Sequence, residues 1–94
     1  MPYISQTERD RYNNLINECI NLLIDKFPGD NRKHFQTGDL NYIISSIVWT
    51  LFDINPSYTR ANEIVGVLEC VKHEFIRRRL NNYEDEKIKQ NGDL

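Results

Sequence analysis

The chain has 94 residues, of which 39% are hydrophobic and 28% charged, and its formal net charge is −2. One domain fits that length and two do not. The charge balance excludes a global basic field for nucleic acid and an acidic solvating tail, so only local clusters carry electrostatic arguments. No apolar run approaches the roughly 18 residues of a membrane span. The opening Met1-Pro2-Tyr3-Ile4 lacks the basic and apolar regions of a secretory signal. The expectation is a soluble, cytoplasmic single domain spanning residues 1–94. Cys19 and Cys70 make no disulfide framework and read as two buried, reduced thiols.

In chain order, Ser5-Gln6-Thr7-Glu8 has the spacing of a capping box, with Ser5 as the N-cap. Tyr12, Leu15, Ile16, Cys19, Ile20, Leu23 and Phe27 then recur at the i, i+3, i+4 spacing of an amphipathic helix. Pro28-Gly29-Asp30 stops it, which predicts a first helix over about 6–26. The polar stretch from Asn31 to Thr37 has no period and reads as a loop. Gly38-Asp39 offers the next start, with Asp39 as N-cap. Leu40, Ile43, Ile44, Ile47, Val48 and Leu51 form a second helical stripe, giving a helix over about 40–52.

Asn55-Pro56-Ser57 turns the chain, and Ser57 is placed to cap a third helix. Its apolar positions are Ala61, Ile64, Val65, Leu68, Val71, Phe75, Ile76 and Leu80. Asn81-Asn82 weakens the pattern, so Tyr83 to Gln90 either continues this helix or forms a short fourth one, and Asn91-Gly92 is a C-cap signal. The fold class expected is all-α: a small three-helix bundle, with or without a short C-terminal fourth helix.

Two helix faces exceed what such a bundle needs. On a wheel of the second helix, Tyr42, Ser45, Ser46 and Trp49 gather opposite the aliphatic stripe, with Trp49 about 180° from its centre. A helix that is apolar or aromatic on both sides is usually covered on both. Either it is the central helix of the bundle, or this face is an interface between copies, where the small Ser45 and Ser46 admit a second helix beside Trp49. On the third helix, Lys72 and Arg79 project into the apolar arc at i, i+7 spacing, and Arg77, Arg78 and Arg79 form a basic run. These cations either lie along the core edge with their ends in water, pair with a carboxylate, or hold an anion. Lys72, Arg78 and Arg79 are the candidate ligand-binding residues, and Arg suits bidentate phosphate contacts. Gly66, in mid-helix, reads as room for close passage of another helix.

Other chemistry finds little support. Glu69, Cys70 and His73 lie within one turn but offer two ligands per face where zinc needs three or four, so no metal and no cofactor is assigned. Glu63, Glu69 and Glu74 have no nucleophile to serve, so no catalytic residue is assigned. They read as a solvated face with i, i+4 partners such as Arg78. Glu84-Asp85-Glu86 follows the arginines closely enough to blunt phosphate attraction, which argues against nucleic acid as a partner.

The opening Met1-Pro2-Tyr3-Ile4, the segment Gly38-Asp39-Leu40-Asn41-Tyr42-Ile43-Ile44, the stretch Ile64-Val65-Gly66-Val67-Leu68-Glu69-Cys70-Val71-Lys72 and the ending Tyr83-Glu84-Asp85-Glu86-Lys87-Ile88 with Asn91-Gly92-Asp93 resemble a short family of uncharacterised bacterial and bacteriophage proteins. The resemblance covers nearly the whole chain. It implies a bacterial or phage cytoplasmic context, and it implies no activity and no functional residue. The functional expectation is a non-enzymatic binding or assembly protein acting as a homo-oligomer, a phage or bacterial accessory factor aimed at a host protein. The alternatives are a protein that sequesters a nucleotide-like anion and, behind it, a small metalloenzyme.

Overall fold

The computed structural model describes residues 4–25 and 34–92. The described residues are helical apart from short connections, with no strand among them, so the chain is all-α. Its elements are α1 (Gln6–Ile24), α2 (Thr37–Ile54), α3 (Tyr58–Phe75), a π-helical turn (Ile76–Leu80) and α4 (Asn81–Asn91). The chain divides into two compact units, Met1–Leu51 and Phe52–Leu94.

In the first unit, the Ser5 hydroxyl accepts from the Glu8 amide at 3.3 Å, which satisfies one of the donors that a helix start leaves open. The solvated side of α1 is laced by short-range bonds. Gln6 Nε2 and Asn13 Nδ2 both donate to Asp10 Oδ1, and Arg9 Nε donates to the Ile4 carbonyl. α1 ends at Ile24, its last amide bond running from Asp25 to the Asn21 carbonyl at 2.9 Å. The proline stop expected at Pro28-Gly29-Asp30 lies outside the described residues, as do Lys26 and Phe27.

α2 starts earlier than its sequence signal. The amides of Asp39 and Leu40 both donate to the Gln36 carbonyl, so Asp39 sits inside the first turn and is not the N-cap. A carboxylate is favoured by the amide dipoles anywhere in that turn, so Gly38-Asp39 marks the start only to within a few residues. The far end of α2 runs on to Ile54. There Pro56 disfavours helical backbone at Asn55, and the Asn55 amide closes on the Phe52 carbonyl at 3.2 Å.

In the second unit Ser57 is the N-cap its position promised, with its hydroxyl accepting from the Arg60 amide at 2.9 Å. From Tyr58 the chain is helical to Asn91. Asn81-Asn82 does not break it, so the C-terminal segment continues the third helix through the π-helical turn. The Asn81 amide reaches the Ile76 carbonyl five residues back, where an α-helix would reach four. Gly92 ends α4 with φ +83°, a backbone state that side chains resist, and its amide donates to the Ile88 carbonyl at 2.8 Å. No described element of the chain passes close to Gly66: a Cβ there would meet nothing within 4 Å among the described residues. Cys19 and Cys70 are free thiols, half-buried and not fully buried as expected.

Candidate interaction surface

No described side chain of the single chain is buried. The apolar residues that the helical spacing marks as core are at best half-covered, and this exposure defines the candidate surface. α2 has only two charged residues, Asp39 and Asp53, in 18. Its aliphatic side presents Ile44, Ile47 and Leu51, of which Ile47 is 57% exposed. On the opposite side Tyr42 is 74% exposed and Trp49 68%. Ser45 and Ser46 between them are half-buried, and Ser45 Oγ donates to Asn41 Oδ1 at 2.8 Å. That bond satisfies the serine hydroxyl within its own helix and leaves the surface between the two rings small and quiet.

Cys19, Leu22 and Leu23 of α1 and Asp39, Tyr42 and Ile43 of α2 line one open groove. That groove runs along the flank of α2 between its two faces. Two further shallow depressions lie on the aliphatic side, one lined by Phe35, Leu40 and Ile44 and the other by Ile47, Thr50 and Leu51. Within this unit both the aliphatic row and the aromatic row of α2 remain accessible.

The basic candidates lie in the second unit. Arg78 Nε pairs with Glu74 Oε2 at 2.7 Å, and Arg77 approaches the same oxygen at 3.6 Å. Arg79 donates to the Arg78 carbonyl at 3.2 Å, and Lys72 is exposed. The π-helical turn adds one residue between Lys72 and Arg79, and each residue of an α-helix subtends about 100°. The two cations therefore do not stack one above the other two turns apart, as an unbroken helix would place them. The same extra residue makes Arg79, Leu80 and Tyr83 continue the row of Leu68, Val71 and Phe75, where an α-helix would have placed Arg78, Arg79 and Asn82. Sequence reasoning missed this because Ile76 and Leu80 keep an ordinary helical spacing of four.

Glu69 and His73 pair with each other at 3.3 Å, and no group of three or more potential metal ligands occurs among the described residues. Glu63 pairs with Arg60 at 3.4 Å and Lys89 with Glu86 at 3.4 Å, so these carboxylates work as partners of nearby cations along the helix. No described helix is long and apolar enough to cross a membrane.

The class defined by this arrangement is an all-α protein whose described helices expose large apolar side chains. The chain belongs to the family described as Domain of unknown function (DUF6899), whose model matches residues 1–94. No curated protein and no solved structure matches it.

Proposed function

We propose that this protein is a non-catalytic binding and assembly factor that works as a homo-oligomer, with the Tyr42, Ser45, Ser46 and Trp49 face of α2 buried between subunits. The observation that carries the reading is the exposure of Trp49 and Tyr42, 68% and 74%, on the side of α2 opposite an aliphatic row that is itself exposed. A large aromatic pair around small side chains is the composition of an interface centre, where Trp and Tyr contribute most of the binding energy. Water covering both sides of so apolar a helix is unfavourable by roughly 25 cal/mol per Å² of apolar surface. The resemblance to bacterial and bacteriophage proteins supports an accessory role in that setting, with a host protein as the eventual target of the assembly.

The test is sedimentation velocity on the unmodified chain and on Trp49→Asp. Association of the unmodified chain at micromolar concentration, weakened at least about 30-fold by Trp49→Asp (roughly 2 kcal/mol), is the expected result. A chain that stays monomeric at high micromolar concentration overturns it.

A further inference from the structure

We infer that the helix of the second unit is a second self-association surface, on which another copy of this chain docks antiparallel with the two-fold axis passing near Asn81 and Asn82. This rests on the homo-oligomer reading above but not on the α2 face.

Two observations lead to it. The first is the apolar row. Leu68, Val71, Phe75, Leu80 and Tyr83 fall on one side of the helix because the π-helical turn inserts the residue that brings Leu80 and Tyr83 into line. Phe75 is 59% exposed and Tyr83 60%. A π-helical turn is rare and occurs mostly as a single-turn insertion in an α-helix, frequently at a functional site. Here the same turn brings a leucine and a tyrosine into the row, beside Arg79.

The second observation is the order of charges around the turn. Arg77, Arg78 and Arg79 precede Asn81-Asn82, and Glu84, Asp85 and Glu86 follow it. A parallel copy would set arginines against arginines and carboxylates against carboxylates. An antiparallel copy sets each basic block beside the partner's acidic block, twice, by symmetry. The centre of the basic block is Arg78 and that of the acidic block is Asp85, so their midpoint falls between Asn81 and Asn82. The pattern extends outward: about that midpoint Leu80 mirrors Tyr83 and Glu74 mirrors Lys89. A two-fold interface demands this kind of self-complementarity, in which residue i meets j and j meets i. Such charge pairing fixes register and orientation more than it adds affinity. The ion pairs of Glu74 with Arg77 and Arg78, and of Glu86 with Lys89, run along one helix, with the cations and Glu86 exposed and Glu74 half-buried. Pairs of that kind contribute little, so they can exchange for contacts across the seam.

The experiment uses two charge-reversed full chains. Arg77→Glu/Arg78→Glu/Arg79→Glu makes both blocks acidic, and Glu84→Lys/Asp85→Lys/Glu86→Lys makes both basic. Each alone should lose association by at least tenfold in sedimentation velocity, while an equimolar mixture should recover it as a heterodimer. Circular dichroism on each variant checks that the helix persists. As a readout independent of those substitutions, spin labels are placed on Asn82 and, separately, on Arg60 of an otherwise cysteine-free chain. The antiparallel arrangement puts the two Asn82 labels close together and the two Arg60 labels about 65 Å apart, at 1.5 Å per residue. Equal short distances at both positions, or variants that associate as the unmodified chain does, overturn this inference. If those variants are unaffected while Trp49→Asp dissociates the oligomer, the inference fails and the α2 reading stands. The converse result reverses the two. A strictly monomeric unmodified chain overturns both.

Discussion

α2 carries Tyr42 and Trp49 on one side and Ile44, Ile47 and Leu51 on the other, all exposed, with only Asp39 and Asp53 charged along its length. The helix from Tyr58 to Asn91 carries one apolar row, flanked by ion pairs such as Glu74 with Arg78 and Lys89 with Glu86, and by Lys87 over the Tyr83 ring at 5.5 Å. Both are long helices of one chain, yet they present opposite problems to water. α2 sets Tyr42 and Trp49 among Asn41, Ser45, Ser46 and its two aspartates, so the side away from its aliphatic row is mixed and exposes two large rings. The second helix can stay solvated on most of its circumference and needs cover along one line. On the proposed reading a helix of the first kind takes its partner by composition. A helix of the second kind takes it by register, which a single π-helical turn sets here.

The sharpest way to break this comparison is to damage each helix in its own manner. Trp49→Asp, placing a carboxylate at the centre of an apolar face, should weaken association by about 2 kcal/mol or more, with the helical circular dichroism signal retained. Next in size is a register change in the second unit. Deleting Arg78 removes the extra residue and should let the α-helix run on, rotating Asn81–Asn91 by about 100° about the helix axis. Helicity should persist, while association falls about tenfold (roughly 1.4 kcal/mol) below that of an Arg78→Ala control, read by sedimentation. Equal association of deletion and control would show that the register of Leu80 and Tyr83 has no partner to serve.

Smaller effects bear on the helices themselves. Ser57→Ala removes the hydroxyl that accepts from the Arg60 amide and should cost about 1 kcal/mol in urea denaturation. Gly66→Ala should stabilise the second unit by about 0.5–1 kcal/mol in the same measurement, since a Cβ there meets nothing within 4 Å and glycine is a poor helix former. A loss of stability in Gly66→Ala would mean that another chain passes close to that backbone in the assembly.

Much of the fold was legible because it is local. The caps at Ser5 and Ser57, the proline turn at Pro56 and the glycine end at Gly92 are decided by backbone donors and allowed dihedrals within a few residues. The start of α2 was misplaced by about one turn because Asp39 suits the first turn as well as the cap. The two faces of α2 were legible too, since a period of 3.6 sorts residues without tertiary information. The π-helical turn was not. Read at an unbroken α-helical period, Lys72 and Arg79 stand in one row, and only the observed hydrogen bond from Asn81 to Ile76 separates them.

By itself, then, the sequence determined an all-α chain with capped helices, an aromatic face on α2 and a basic block followed by an acidic one. These follow from spacing and side-chain chemistry that act over three or four residues. The tertiary structure alone decided that α1 residues share a groove with the Asp39, Tyr42 and Ile43 flank of α2, leaving both rows of α2 accessible, and that Leu80 and Tyr83 join the apolar row of the second unit. Which flank a helix buries depends on contacts between elements distant in sequence. Whether a helix gains a residue in one turn depends on a hydrogen bond that no local propensity specifies.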